Sequence, residues 1–246
     1  MGKSEKEWFT EWFDTPYYHQ LYKHRNDKEA QEFISTLLFK LELFPGERVL
    51  DVACGKGRHS RVFHQKGMSV LGFDLSSKSI EQASIYENPT LEFHKHDMRS
   101  PYDNWGQFDA AVNLFTSFGY FDSERDDILS LKNIAKVLKP GGFFVQDYLN
   151  GEYILNDLPS KGKKKINGVH YSWIKQFNNG FIVKDIDIKD GSEKLQFQEK
   201  VKVYSAEELI NIHENSGFKV HEVFGNYKLD YFQEQSPRII LISERK

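Results

Sequence analysis

The stretch Val49-Leu50-Asp51-Val52-Ala53-Cys54-Gly55-Lys56-Gly57-Arg58-His59 constrains this chain more than any other. An apolar run ends in an acid, two glycines follow in the spacing G-x-G, and a helical pattern begins. A second apolar run, Val70-Leu71-Gly72-Phe73, then ends in Asp74. Strand, glycine turn, helix, strand and acid is the layout of a nucleotide-binding βαβ unit. Glycines let a backbone approach a ligand closely, because no Cβ intervenes and positive φ is open to them. An acid closing the second strand can accept hydrogen bonds from both hydroxyls of a ribose.

The neighbouring residues narrow the ligand. A dinucleotide turn calls for a third glycine, G-x-G-x-x-G, and aims helix N–H groups at a pyrophosphate. The third position here is Ser60, and Asp51 adds a carboxylate beside the turn. That carboxylate suits a cationic, phosphate-free ligand. On these residues the chain resembles the class I S-adenosylmethionine (SAM)-dependent methyltransferases, whose first motif reads as Asp-x-x-Cys-Gly-x-Gly does at Asp51 to Gly57. The resemblance implies SAM as cofactor, S-adenosylhomocysteine (SAH) as its product, and an O or N nucleophile on a small-molecule acceptor. Three other readings stay open: methyl transfer to RNA or protein, a nicotinamide-dependent oxidoreductase, and SAM binding without catalysis. Ser60 and Asp51 argue against the oxidoreductase.

Charge and composition exclude other classes. With 39% hydrophobic residues, 28% charged residues and a net charge of −3, the chain of 246 has no global bias towards nucleic acid or anionic membrane. No run approaches the roughly 18 apolar residues of a membrane span, and Met1 to Glu7 lack a secretory apolar core. Cys54 is the one cysteine, so no intramolecular disulfide is possible and a cytoplasmic location is expected. The histidines form no H-E-x-x-H pattern, and no metal is expected. A monomer and a homodimer are equally compatible with the sequence.

The pattern after the glycine turn is an alternating one. Strands are expected at 48–53, 69–73, 91–95, 108–114 and 142–148, with helices at 58–66 and 123–138 among them. The second helix starts at Ser123-x-x-Asp126 and stops at Pro140-Gly141-Gly142. Such alternation predicts an α/β fold with a doubly wound, mostly parallel sheet. The resemblance implies seven strands with the last reversed, which the final pair at 218–225 and 238–244 fits. Residues 169–177, 181–188 and 195–204 are strand-like without helices between them, with turns at Asn178-Asn179-Gly180 and Lys189-Asp190-Gly191. They predict a small antiparallel β flap inserted after the fifth strand, followed by a helix at 205–216. Residues 1–44 are expected to form a helical cap over the cofactor, with a break at Pro16 and a second helix at 27–43. Residues 45–158 and 205–246 then form the cofactor domain, and 159–204 the flap, expected to serve as a lid for the substrate. Lys161, Lys163, Lys164 and Lys165 read as a solvated charged loop at the flap entrance.

Ligands of open α/β sheets bind outside the carboxyl ends of the strands. The candidates are therefore Asp51, Ala53, Gly55, Gly57, Arg58 and His59 after the first strand, and Asp74 and Leu75 after the second. Asp97 and Met98 follow the third, Asn113, Leu114 and Phe115 the fourth, and Tyr148 the fifth. The resemblance implies that Asp74 binds the ribose hydroxyls, that Asp97 and the Met98 backbone face the adenine, and that Asn113–Phe115 line the methionine moiety. Either Arg58 or Arg25 is placed to meet the ligand's carboxylate. Aromatic faces at Phe115, Phe118, Tyr120 and Phe121 suit a sulfonium cation. The segment Tyr17-Tyr18-His19-x-Leu21-Tyr22 resembles a Tyr-bearing helix that folds over the cofactor. Tyr18, His19 and Tyr148 are the candidates to orient the nucleophile or take its proton.

Overall fold

A computed structural model describes residues 7–23 and 27–246. Apolar runs after residue 47 supply the strands of the main sheet. They are β1 (Arg48–Val52), β2 (Ser69–Asp74), β3 (Leu91–Lys95), β4 (Phe108–Asn113), β5 (Leu138–Leu149), and, after the flap, β10 (Phe218–Phe224) and β11 (Arg238–Arg245). The order across the sheet is β10-β11-β5-β4-β1-β2-β3. Pairs among β1 to β5 are parallel, while β11 runs antiparallel to both β5 and β10. The doubly wound sheet with its reversed last strand is thus present.

Successive side chains of a strand leave on opposite faces, so a sheet covered on both sides needs two apolar sets. Val49, Val70, Val112 and Val145 pack on one face, and Leu50, Leu71, Ala111 and Phe144 on the other. Helices α4 (Arg58–Gln65), α5 (Ser77–Ser84), α6 (Glu124–Val137) and α8 (Ala206–Asn215) flank the sheet. Ser205 and Glu208 start α8 with a full capping box. Helix α6 ends at Val137, before the Pro140-Gly141-Gly142 expected to stop it. Those residues instead form an irregularity inside β5, where pairing with β4 jumps from Phe108↔Leu138 to Ala110↔Phe143.

The short helix α7 (Gly151–Leu155) leads into the flap, a second sheet of four antiparallel strands. These are β6 (Ser160–Ile166), β7 (Val169–Asn178), β8 (Phe181–Asp190) and β9 (Glu193–Lys202), in that spatial order. Strand β6 corrects the sequence reading, because Lys161 to Lys165 are an edge strand and not a loop. The missed signal is Asn167-Gly168, with φ +48° and +87°, the two-residue turn that joins β6 to β7. Lysines on an edge strand discourage pairing with another chain.

The expected cap over 1–44 divides in two. Helix α3 (Asp27–Lys40) buries Phe33, Ile34 and Leu37 in the core of the main sheet. Helices α1 (Trp8–Trp12) and α2 (Pro16–Leu21) belong with the flap instead. Trp12 and Leu21 share one apolar cluster with Val169, Tyr171, Ile186 and Ile188. The cap and flap form one roof over the carboxyl ends of the main strands.

Candidate active site

Under that roof lies a cavity of about 790 Å³. Of the candidates read from the sequence, Tyr18, His19, Ala53, Gly55, Arg58 and His59 line it. So do Asp74, Leu75, Asp97, Met98, Leu114 and Phe115. Asp51, Gly57, Asn113 and Tyr148 do not line it, and Arg25 lies outside the described residues.

The glycine turn is built by backbone conformations that side chains resist. Ala53, Gly55 and Gly57 all have positive φ, at +57°, +56° and +71°. A Cβ on Gly55 would meet nothing within 4 Å, which leaves that position open to a ligand. Gly57 has a different reason. A Cβ there would lie 2.5 Å from the Phe93 ring, so this glycine lets β3 pack against the turn. Asp51 is also behind the turn, where its Oδ2 accepts the Ser60 hydroxyl at 2.5 Å. Burial raises its pKa to about 7, against the pull of the Ser60 hydrogen bonds.

Asp74 faces the cavity and holds its wall together. Oδ2 accepts the Gly55 N–H at 2.9 Å and Oδ1 the Ser76 N–H at 2.8 Å. Burial pushes its pKa up, and these two donors work against that rise. Asp14, at the end of α1, accepts from Ser76 Oγ at 2.6 Å and the Lys78 N–H at 3.0 Å, so the cap docks beside Asp74. Asp97 is clasped by Arg99, with Nη2 to Oδ2 at 2.7 Å. The same guanidinium reaches Glu7 of the cap at 2.6 and 2.8 Å and lies 4.5 Å over the Phe121 ring. Burial raises the Asp97 pKa, but Arg99 outweighs it and holds the carboxyl below its usual value.

Asn113 is a support for the loop that follows it. Its Nδ2 donates to the Val52 carbonyl at 3.0 Å and the Ser117 carbonyl at 3.2 Å, which places Leu114 and Phe115 at the cavity. Phe115 and Thr116 have φ of +70° and +60°. Asp147 and Arg238 secure that strained pair. Asp147 accepts from the Phe115 N–H at 2.9 Å and Arg238 Nε at 2.7 Å, and Arg238 Nη2 donates to Thr116 Oγ1 at 2.7 Å. Arg238 itself lines the cavity.

Of the three candidates for proton handling, Tyr148 faces the wrong way. It is fully buried, and its hydroxyl donates to the Lys202 carbonyl at 2.5 Å. Tyr148 therefore ties β5 to β9 and is withdrawn as a base. His19 presents a buried Nε2 without a hydrogen-bond partner. Burial, with Lys56 adding to it, lowers its pKa to about 4, so the imidazole is neutral near pH 7. Tyr18 stands in the aromatic cap, with its ring 4.8 Å from that of Phe13.

Sequence reasoning missed Arg99, Arg238 and Glu199. Glu199 lines the cavity from β9, where it accepts from Trp12 Nε1 at 2.7 Å and the Tyr22 hydroxyl at 2.7 Å. A signal was present: Leu195-x-Phe197-x-Glu199-x-Val201 puts an acid on an otherwise apolar strand face.

The comparisons with known proteins agree with this architecture. The pattern of the methyltransferase-domain family matches residues 22–223. The chain belongs to that family, and it is a class I, SAM-dependent methyltransferase. It is similar to the Bacillus subtilis protein YqeM, with 28% identity over 207 residues covering 80% of this chain and 84% of that one. Mouse glycine N-methyltransferase is 32% identical over 159 residues, but the chain spans only about half its length (52%) and the match covers 56% of this chain. Among solved structures, a SAM-dependent methyltransferase from Clostridium acetobutylicum has a TM-score of 0.78 at 19% identity, covering 93% of this chain and 96% of that one. SAM-bound CalS10, an amino pentose methyltransferase from Micromonospora echinaspora, has a TM-score of 0.70 at 17% identity, covering 94% and 98%.

Proposed function

We propose that this enzyme methylates an O or N nucleophile on a small-molecule acceptor that enters between the cap and the flap. The observation that carries the reading is the enclosure of one cavity by the cofactor wall at Gly55 and Asp74 and by the roof of cap and flap. A roofed cavity suits a small acceptor better than a nucleic-acid strand or a folded protein. Relatives named for methyl transfer to glycine and to an amino pentose support the same acceptor size.

The residues fit SAM on their own geometry. The open space at Gly55 leaves room for a ligand at the turn, and Asp74 keeps lone pairs for ribose hydroxyls after its two backbone bonds. Asp97 and Met98 suit the adenine, and Leu114 and Phe115 the methionine portion. SAM supplies a methyl group on a sulfonium, which is already an excellent leaving group. The protein is then left with alignment and water exclusion. Phe13 and Tyr18 of the cap, with Tyr120 from the segment between β4 and α6, close the cavity against water. Phe115, whose ring already lies 5.7 Å from the Arg58 guanidinium and 5.9 Å from that of Arg238, and Tyr120 bring aromatic faces to the same cavity, where a cation–π contact is worth about 0.5–2 kcal/mol. The neutral His19 and the Tyr18 hydroxyl are the cap's polar groups for orienting a nucleophile. Arg58 is the described candidate for the cofactor carboxylate. The single, buried Cys54 fits a reducing compartment such as the cytoplasm. Among the described residues, no helix is long and apolar enough to cross a membrane.

Incubation with methyl-labelled SAM and metabolite extracts tests the proposal. Label in a small molecule is the expected result. Label appearing only in RNA or protein would overturn the acceptor class.

A further inference from the structure

The inner face of the flap carries a row of three charges that flap stability does not require. Strands β7, β8 and β9 pair so that Lys175 lies opposite Lys184, and Lys184 opposite Glu199. All three stand on strand faces that are otherwise apolar: Tyr171-x-Trp173-x-Lys175, Ile182-x-Lys184-x-Ile186 and Phe197-x-Glu199-x-Val201. Facing apolar side chains of similar size hold two strands together as well as a buried ion pair does.

The row differs along its length. Lys184, in the middle, is buried and does not line the cavity. Its Nζ donates to the Tyr22 hydroxyl at 2.5 Å, pairs with Glu199 at 3.4 Å and lies 5.1 Å over the Trp173 ring. Glu199 and Lys175, at the two ends, both line the cavity. Trp12, Tyr22 and Lys184 fix the Glu199 carboxylate in place, and a carboxylate retains acceptor sites beyond those three. The Lys175 side chain makes no hydrogen bond or ion pair among the described residues. Neighbouring strands are about 4.8 Å apart, so the two ends are roughly 10 Å apart at the backbone.

We infer that this row recognises the acceptor, and that the acceptor is a molecule carrying both an amine and an acidic group. The amine meets Glu199 and the acid, a carboxylate or a phosphate, meets Lys175. The inference rests on the methyltransferase reading of the same cavity. Lys184 gives Glu199 a fixed counter-charge, which leaves Lys175 as the cation that this row offers to a ligand. Both contacts are charge-assisted hydrogen bonds, each able to change affinity by about tenfold or more.

The test uses the full chain saturated with SAH and three probes of matched length: 6-aminohexanoate, hexylamine and hexanoate. Calorimetry of SAH comes first, and failure to bind SAH would overturn the methyltransferase reading itself. With SAH bound, 6-aminohexanoate is expected to bind about tenfold or more tighter than either singly charged probe. Lys175→Met should reduce it to the level of hexylamine, and Glu199→Gln to the level of hexanoate, with SAH affinity within about threefold of the parent in both. Glu199 also supports Trp12 and Tyr22, so a misfolded Glu199→Gln protein leaves the decision to Lys175→Met, where no structural contact is lost. The inference is overturned if 6-aminohexanoate binds no tighter than the other two, including the case in which none binds. It is equally overturned if Lys175→Met keeps the preference.

Discussion

Asp74 Oδ2 accepts the Gly55 N–H at 2.9 Å, and this bond closes the glycine turn onto the end of the second strand. The acid proposed to bind the ribose is thereby also a structural one. Asp74→Ala removes the Gly55 and Ser76 contacts together with those proposed to the ribose. Each hydrogen bond to a charged group is worth about 1.5–3 kcal/mol, less what water restores. SAM affinity should fall about 10- to 100-fold, and the melting temperature should fall in the same sample. Asp74→Asn keeps one acceptor oxygen and should lie between. Dissociation constants and melting curves for both variants decide; wild-type affinity in Asp74→Ala would remove this residue from the cofactor site.

The two glycines of the turn should separate under mutation. Gly57→Val drives its side chain into Phe93 at a left-handed backbone position, so the expected result is a protein that unfolds or melts far lower. Gly55→Ala faces open space and costs only the left-handed backbone, about 1–2 kcal/mol. It should stay folded and bind SAM more weakly. Circular dichroism and calorimetry on the pair check this, and a Gly57→Val protein with a normal melting temperature would contradict it.

The separation of Gly55 from Gly57 marks how far the sequence was readable. Apolar runs, the G-x-G turn and the acid at Asp74 prescribe the backbone path, because strand period and glycine placement are local properties. Which side chains reach the cavity is not local. Gly57 is required by a ring on β3, Asn113 turns back to Val52, and Tyr148 reaches across to Lys202. The Arg99–Glu7 and Arg238–Asp147 pairs likewise join residues far apart in the chain. Glu199 and Lys184 were legible only as polar breaks in an apolar alternation, and their meeting depends on the register of β8 and β9.

Flap and cap should fail together. Trp12 and Leu21 bury themselves against flap residues Tyr171 and Ile186, and Trp12 also donates to Glu199. Replacing 162–200 with a Gly/Ser linker strips both contacts from the cap. A lid confined to acceptor choice would leave SAM affinity nearly unchanged. The shared cluster instead predicts loss of methyl transfer together with a drop in SAM affinity beyond about tenfold, since Asp14 and Glu7 no longer dock beside Asp74 and Asp97. Calorimetry on a variant with a native-like main sheet would show which is right.

Asp51 should make stability fall as pH rises from mildly acidic through neutral. Burial raises its folded pKa to about 7 from an ordinary 3.8. The folded state therefore keeps a proton that the unfolded chain releases. This group's contribution is complete below about 3.8 and is lost as pH climbs through about 7. Other buried groups act at lower pH. Asp127, raised to about 6 by burial, has the same sign and an earlier window. His213 and His19, lowered to about 3 and about 4 by burial, act in the opposite direction and are complete above the ordinary histidine value of 6.5. Between pH 6.5 and 8 the two histidines still gain stability as the unfolded chain loses its last histidine protons, which offsets much of the Asp51 loss, so the Asp51 share, on the order of 1 kcal/mol, is read as the difference between the parent and a variant that cannot ionise there. Asp51→Asn cannot ionise and keeps an oxygen for the Ser60 hydroxyl, so relative to the parent its stability should rise over that range by on the order of 1 kcal/mol. Urea unfolding of both proteins at the two pH values is the measurement, and an equal change in the two would show that the proton resides elsewhere.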